Sequence, residues 1–212
     1  MFKKILLTAA LLGASTSFVY AQSSEPSATS FRAVEIAPNA ALIQPQANKV
    51  TLIEFFWYGC PHCYHMEPMV HKLVEEKKDV VEFKRYPVAF PRWESGAKLY
   101  FTVEAMGLED KLHNKIFKTI QEDRNNIMDD KDKRDAFLKA EGVDVAKFNE
   151  TYESFGVNTK MGQAKEVVKN YKIDSSPAFV VNNAYLYSPG INGSYQNTID
   201  GLRTQIDKLT KK

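Results

Sequence analysis

The chain contains 212 residues, 44% of them hydrophobic, with 28 basic and 26 acidic side chains and a formal net charge of +2. This length and composition predict one domain with a substantial hydrophobic core. The charge lacks the large basic excess that recruits phosphate backbones, and the charged runs mix both signs. The composition therefore argues against nucleic acid as a partner.

The N-terminus has the pattern of a cleavable export signal. Two lysines precede an apolar stretch over residues 5–14, and the small residues Val19 and Ala21 predict cleavage before Gln22. The apolar stretch is about half of the roughly 20 residues that a membrane-spanning helix requires. We therefore predict an exported protein that is not embedded in the membrane, with 26 charges of each sign after cleavage.

The residues after the signal predict a lead-in and then a buried strand. Residues 22–31 are rich in Ser, Ala, Pro and Thr without periodicity, which predicts disorder, and the lead-in over residues 22–48 leaves room for a first strand. A nearly unbroken apolar run over residues 50–57 predicts a strand that is covered on both faces of a sheet.

The middle of the chain is predominantly helical. Residues 60–78 predict a helix, which Pro68 should kink or end because proline lacks the backbone donor that a helix needs. Residues 80–86 predict a second strand. From residue 92 to residue 171, apolar side chains recur at spacings of three and four, which predicts an inserted helical module.

Strand character returns near the C-terminus. Residues 178–181 predict a strand, Asn182 and Asn183 a turn, residues 185–187 a further strand, and residues 199–209 a terminal helix. The predicted organisation has four parts: a signal peptide over 1–21, a lead-in over 22–48, one α/β domain formed by 49–91 and 172–212, and an inserted helical domain over 92–171.

The only two cysteines, Cys60 and Cys63, are separated by two residues and directly follow the predicted strand. A bridge across so short a loop removes little entropy from the unfolded chain, so it contributes little to stability. A strand-to-helix junction is, in contrast, a place where a thiolate is stabilised. The pair therefore predicts a redox-active disulfide in a thiol-disulfide oxidoreductase.

The residues of this loop predict a lowered pKa for the Cys60 thiol. Cys60 would lie at a helix start, where unpaired backbone donors and the helix dipole favour an anion. Pro61 suits the first helical turn, and His62 can add a charge or a hydrogen bond. Cys63, one turn further on and less exposed, is predicted to be the resolving thiol.

The run over residues 54–63, EFFWYGCPHC, resembles the DsbA family of periplasmic dithiol oxidases, as do a later proline after two serines and the helical insertion between them. The resemblance implies an α/β thioredoxin fold with a helical domain inserted between the second strand and the cis-proline strand. It implies a periplasmic enzyme that needs no metal or cofactor and oxidises newly exported, unfolded proteins. A quinone-linked membrane oxidase of the DsbB type would reoxidise it. We expect a monomer.

The same resemblance assigns roles to residues outside the cysteine loop. Pro177 would be the cis-proline that lies against the loop, and Ser176 would contact substrate where the family commonly has Val or Thr. The hydroxyl of Ser176 would face the sulfur of Cys60 and shift the pKa of that thiol. The strength of the protein as an oxidant is therefore left open. Glu54 is either a solvent-facing residue near a strand end or a buried acid that relays a proton. Arg85 is a weaker candidate partner, more simply read as surface.

Five side chains are candidates for an apolar substrate groove. Trp57 and Tyr58 lie next to the cysteines in the sequence, and Met66, Met69 and Phe90 are apolar residues for which core packing is an equal alternative.

Other functions remain open at this stage. A reductase or isomerase would use the same cysteines, although the residues before Val50 are too few for the dimerisation domain of an isomerase. A Cu(I) or Zn²⁺ carrier would use both cysteines with His62 or His65, but no fourth ligand is evident, and neither His71 nor His113 has ligand spacing. In a peptide-binding chaperone the cysteines would be incidental.

Overall fold

The computed structural model describes residues 27–33, 43–44 and 46–211. The predicted signal segment over 1–21 and the predicted cleavage site before Gln22 lie outside these residues. Within the described part, the chain folds around one five-stranded sheet with helices packed on both faces.

The sheet has one parallel and three antiparallel pairs of neighbours. Its strands are β1 (Arg32–Ala33), β2 (Val50–Phe56), β3 (Val81–Pro87), β4 (Ala178–Val181) and β5 (Tyr185–Tyr187). Their order is β1-β5-β4-β2-β3, and β2 runs parallel to β3. The sheet is mixed, and the chain forms several helices between β3 and β4. This arrangement confirms the expected fold class.

Strand β2 lies inside the sheet because its apolar run is covered on both faces. All seven of its residues are buried. Successive side chains of a strand point to opposite faces. Leu52 accordingly packs with the helices over residues 61–77 and 195–210 on one face. Ile53 and Phe55 pack in the cluster that contains Tyr171 on the other face. The strand ends immediately before the cysteine loop and therefore fixes the position of that loop.

Eight helices complete the described fold. They are α1 (Pro61–Lys77), α2 (Glu94–Ala105), α3 (Glu109–Gln121), α4 (Lys131–Ala140), α5 (Val145–Tyr152), α6 (Phe155–Asn170), α7 (Pro189–Asn192) and α8 (Tyr195–Thr210). Helices α2 to α6 form the predicted helical insertion. The short α7 was not predicted.

Pro68 does not end α1, so that part of the prediction is wrong. The helix continues as one element of 17 residues with Pro68 in its interior. Because Pro68 lies on the exposed side of the helix, its ring is accommodated towards solvent and the helix loses one backbone hydrogen bond rather than its continuity.

The predicted disorder of the lead-in is wrong for residues 27–31. The side chain of Asn192 donates to the carbonyl oxygens of Ser27, at 3.0 Å, and Ser30, at 2.8 Å. The carbonyl of Ala28 lies against Gly201, where an added Cβ atom would come within 2.2 Å of the oxygen. Composition did not reveal this packing because its partners are more than 160 residues away.

The hairpin between β4 and β5 confirms the predicted turn. Asn182 and Asn183 both adopt left-handed backbone conformations, with φ angles of 48° and 57°, which asparagine tolerates better than most residues. The side chain of Asn182 also accepts a hydrogen bond from the backbone of Thr51 in β2, at 2.9 Å, so the turn is tied to the central strand.

Candidate active site

The two cysteines lie at the start of α1, in the dithiol form. Cys60 is the N-cap residue, and its sulfur accepts a hydrogen bond from the backbone N–H of Cys63 at 3.3 Å. Pro61 occupies the first turn of the helix, as predicted. Since the N-cap position satisfies a donor that the helix itself leaves unpaired, the sulfur of Cys60 takes the place that a capping oxygen usually fills.

The surroundings of Cys60 favour its thiolate. Hydrogen bonding from the Cys63 thiol is the largest influence, and with the backbone donors of Cys63 and His62 it lowers the pKa of Cys60 to about 6, against the opposing effect of burial. The thiolate, not the thiol, is the nucleophile and the better leaving group. Cys60 therefore has the electrostatics of a reactive thiol near neutral pH.

Cys63 differs from Cys60 in exposure and in acidity. Its side chain is fully buried, and burial raises the pKa of its thiol well above the ordinary value. Cys63 thus stays protonated at neutral pH and can act as a hydrogen-bond donor to the neighbouring sulfur.

The loop before β4 lies directly against the sulfur of Cys60. The peptide bond between Ser176 and Pro177 is cis, as expected from the resemblance. The thiol of Cys60 donates to the carbonyl of Ser176 at 3.4 Å, a contact that favours the protonated form. The Ser176 hydroxyl acts in the opposite sense and lowers the pKa of Cys60, although it has no hydrogen-bond partner of normal geometry among the described residues.

His62 is exposed, and the hydrogen bonds of the Cys60 sulfur are with Cys63 and Ser176 rather than with the imidazole of His62. Its Nδ1 atom is hydrogen-bonded to the hydroxyl of Tyr195, the first residue of α8, at 2.5 Å. The effect of His62 on Cys60 comes through its backbone N–H.

Glu54 is fully buried, which excludes the solvent-facing alternative. Desolvation by burial, reinforced by the charge of Glu67, raises the pKa of Glu54 to about 8. Within the described residues neither carboxylate oxygen has a hydrogen-bond partner of normal geometry, although Nε of Arg85 lies 3.3 Å away. Glu54 also raises the pKa of Cys63 by its charge, which places the two groups within electrostatic reach.

Arg85 is not a surface residue, so the simpler interpretation of it was wrong. Only 14% of its side chain is exposed, and its guanidinium also reaches Glu67 at 2.5 Å and Glu109 at 3.1 Å. His113 joins this group, since its Nε2 lies 3.5 Å from Glu67. We call the five side chains the charge cluster: Glu54, Glu67, Arg85, Glu109 and His113. One guanidinium thus faces three carboxyl groups, and the charge of Glu67 adds to the burial that raises the pKa of Glu54.

His113 is buried inside this arrangement. Burial lowers the pKa of its imidazole, so the ring is neutral near pH 7, and Nδ1 lies 3.0 Å from the hydroxyl of Tyr58. Glu67 has a pKa below its usual range, since the contacts with His113 and Arg85 outweigh its own burial. A buried histidine was not foreseen, and only its position on the apolar face of α3 could have indicated it.

The predicted groove residues divide into core and boundary positions. Tyr58 is 1% exposed, so the expectation that it lines a groove is wrong, whereas Met66 is 0% exposed, which agrees with the alternative of core packing. Tyr58, in the turn between β2 and α1, and Met66, on α1, each belong to a buried apolar cluster. Met69 and Phe90 are partly buried, and Trp57 stacks on Trp93 with the ring centres 4.5 Å apart.

A cavity of about 510 Å³ lies beside the cysteine loop. It is open to solvent, and apart from the imidazole of His62 its walls carry no acidic or basic side chain. Its lining residues are His62, Ser175, Ser176, Pro177, Ser188, Pro189, Gly190, Gly193, Ser194 and Tyr195.

The described part of the chain offers no grouping of three or more His, Cys, Asp or Glu side chains suited to a metal ion. None of its helices combines the length and the apolar character needed to cross a bilayer.

Comparison with known proteins places this site in a family. Residues 51–196 match the family described as the DSBA-like thioredoxin domain. This chain belongs to the DsbA family. It is 35% identical to the thiol:disulfide interchange protein DsbA of Burkholderia cepacia, with 99% of this chain and 97% of that protein covered. It is 34% identical to the protein of the same name from Pseudomonas syringae, with 97% and 95% covered.

Solved DsbA structures share the fold. The crystal structure of Pseudomonas aeruginosa DsbA has a TM-score of 0.75 and 30% identity, over 87% of this chain and 95% of that one. Membership of the DsbA family makes the protein a thiol:disulfide oxidoreductase, an enzyme that exchanges disulfides with other thiols.

Proposed function

We propose that this DsbA-family protein works as a dithiol oxidase in the periplasm, with the disulfide between Cys60 and Cys63 as its oxidising group. The observation that carries the proposal is the contrast between the two thiols. A mixed disulfide between enzyme and substrate passes on to the substrate most readily when the enzyme sulfur leaves as a stable thiolate. That sulfur belongs to Cys60, whose pKa is lowered to about 6, while the pKa of Cys63 is raised.

The exchange proceeds in two balanced steps. A thiolate of the exported substrate attacks the sulfur of Cys60, which forms a mixed disulfide and releases Cys63 as the thiolate. A second substrate thiolate then attacks the substrate sulfur of that mixed disulfide, and Cys60 leaves as the thiolate. The substrate gains one disulfide and loses two electrons, which the enzyme now holds in its dithiol form.

Glu54 supplies a proton route to the buried thiol in this scheme. Cys63 is fully buried, so the thiolate released in the first step needs a nearby proton donor. A carboxyl group with a pKa of about 8 is protonated at neutral pH and can give that proton. The same group can accept the proton back when the disulfide is formed again.

Substrate would bind beside Pro177, in the cavity that borders the cysteine loop. Its small and uncharged walls fit an extended, unfolded chain without selecting for charge. Ser176 lines this cavity and is a candidate contact. Trp57, which precedes the cysteine loop and stacks on Trp93, is a second candidate outside the cavity lining. By family membership, the dithiol form would be reoxidised by a quinone-linked membrane oxidase of the DsbB type.

The thiolate absorbance of the reduced protein, followed against pH, tests the assignment of the two cysteines. We expect one transition near pH 6, retained at altered position in Cys63→Ser and lost in Cys60→Ser. The Cys63→Ser variant should also accumulate a mixed disulfide when it is mixed with a peptide that carries a disulfide, because the Cys60 thiolate attacks that bond and displaces one peptide thiolate. Cys60→Ser should not. A transition of Cys60 at pH 8 or above, or a transition near pH 6 that survives in Cys60→Ser, would contradict the proposal.

The direction of exchange needs a separate measurement. The equilibrium with glutathione should lie further towards the dithiol form of this protein than it does for thioredoxin, whose active-site pKa is about 7. Because the pKa of about 6 is less depressed than the value of about 3.5 known for DsbA itself, we expect a weaker oxidant than that protein. An equilibrium like that of thioredoxin would favour the alternative reductase.

A further inference from the structure

Tyr195 holds the imidazole of His62 at the edge of the cysteine loop. The Tyr195 hydroxyl lies 2.5 Å from Nδ1 of His62, and the two rings meet edge to face with their centres 6.0 Å apart. Either the hydroxyl donates to Nδ1 or Nδ1 donates to the hydroxyl, and both arrangements occupy this nitrogen. The contact joins α1 to α8 across 133 residues of sequence.

The chain positions the Tyr195 hydroxyl through the cap of α8. The side chain of Ser194 accepts from the backbone N–H of Asn197 at 3.0 Å, and the side chain of Asn197 donates to the carbonyl of Asn192 at 3.0 Å. Gly193 makes the corner with a φ of +81°, which favours glycine. The backbone that carries Tyr195 is therefore held in place by the hydrogen-bonded turn at the start of α8.

The other groups around His62 leave Tyr195 as its main polar partner. On its own helix, the sulfur of Cys60 accepts from backbone and thiol donors instead. The cavity that His62 lines also contains Ser176 and Pro177, which carry no charge. His65, one turn further along α1, lies against the ring of Tyr64 and away from this contact.

We propose that Tyr195 is a positioning residue, which holds Nδ1 of His62 away from the sulfur of Cys60 and so makes the protein a milder oxidant. A free imidazole next to a thiolate can donate a hydrogen bond or, when protonated, a positive charge, and both stabilise the anion. The hydroxyl of Tyr195 competes with the sulfur for that interaction. This inference rests on the proposed function, because it concerns how strongly the same dithiol is stabilised.

The redox equilibrium with glutathione tests the inference in four proteins: wild type, Tyr195→Phe, His62→Ala and the double variant. Tyr195→Phe removes only the hydroxyl and keeps the ring that packs at the start of α8. We expect it to shift the equilibrium towards the dithiol form by at least about three-fold, equivalent to about half a pKa unit at Cys60. In the His62→Ala background the same change should have no effect, because the imidazole that it releases is absent.

Three results would overturn the inference: an unchanged equilibrium in Tyr195→Phe, a shift towards the disulfide form, or an equal shift with and without His62. The last result would mean that Tyr195 acts through the structure of α8. The wild-type measurement separates these failures from failure of the proposed function. If wild type is as reducing as thioredoxin, the oxidase proposal fails, whereas an oxidising wild type with an unresponsive Tyr195→Phe variant refutes only the role of Tyr195.

Discussion

At the scale of single residues, the chemistry follows from different burial of groups that are close together. Cys60 is 6% exposed and has donors on its sulfur, whereas Cys63 is 0% exposed and has a raised pKa. Glu54 lies beneath them with a carboxyl group that burial keeps protonated. Desolvation therefore raises the pKa of both Glu54 and Cys63 and keeps both groups protonated at neutral pH. At Cys60, hydrogen bonds to the sulfur outweigh desolvation and lower the pKa.

The raised pKa of Glu54 predicts how stability depends on pH. The folded protein holds this proton up to about pH 8, and the unfolded chain releases it near the ordinary value of 4.5. The stabilisation is therefore complete below pH 4.5 and is lost as pH rises to 8. Replacing Glu54 by Gln removes this dependence, so the variant should gain about 2 to 5 kcal/mol relative to wild type between pH 4.5 and pH 8.

Urea unfolding of both reduced proteins across this pH range measures the difference. The comparison isolates Glu54, because all other titrating groups are common to the two proteins. Parallel profiles for wild type and Glu54→Gln would show that the carboxyl group titrates normally in the folded protein.

At the scale of elements, Arg85 joins four pieces of secondary structure. It lies on β3, and its three carboxylate partners come from β2, α1 and α3. A buried ion pair contributes little net stability compared with apolar packing, but removal of one partner leaves the others uncompensated. The charge cluster therefore fixes how the helical insertion meets the sheet more than it adds to total stability.

Loss of the guanidinium should be costly because the buried charge of Glu67 and the carboxyl group of Glu109 lose the cation that they contact. We expect Arg85→Met to lower the free energy of unfolding by about 3 to 5 kcal/mol at pH 7. The loss should be smaller at pH 4, because Glu67 without the guanidinium that lowers its pKa can bind a proton there. Denaturant titrations at the two pH values measure both effects.

Arg203→Met is the matched control for this substitution. Arg203 also bridges two acidic groups, Glu76 and Asp200, but its side chain is 32% exposed, so we expect a change below about 1 kcal/mol. Equal effects of the two substitutions would refute a special role for the buried position.

At the scale of the whole molecule, the insertion and the sheet share one core. The largest apolar cluster contains Phe56 of β2 and Cys63 of α1. It also contains Phe117, Leu138 and Phe148, which lie on helices of the insertion. The side chains that support the cysteine loop thus belong to both parts of the fold. For this reason we expect the insertion and the sheet to unfold together.

Substitution in the insertion tests that expectation. Phe148→Ala removes a fully buried ring and should lower the free energy of unfolding by about 3 to 5 kcal/mol. Circular dichroism and the fluorescence of the stacked pair Trp57 and Trp93 should report the same midpoint, although neither tryptophan belongs to α5.

Phe155→Ala is the control, because Phe155 is 87% exposed and its loss should change stability by about 0.5 kcal/mol or less. Two separate transitions in Phe148→Ala would mean that the insertion unfolds on its own.

The sequence by itself determined the features that depend on neighbours along the chain. The apolar run of β2, the asparagine turn and the start of α1 at Pro61 are short-range patterns, and the dithiol chemistry followed from the spacing of Cys60 and Cys63. Such patterns are readable because each depends on the conformational preferences of adjacent residues.

Only the tertiary structure decided which side chains are buried and which groups face each other. The sequence around Arg85 suggests a surface residue of a strand. In the folded protein it contacts Glu54, Glu67 and Glu109, which lie on three other elements. Tyr195 meets His62 across 133 residues of chain. The physical reason is that desolvation and ion pairing depend on groups brought together by packing, which no local pattern of hydrophobicity records.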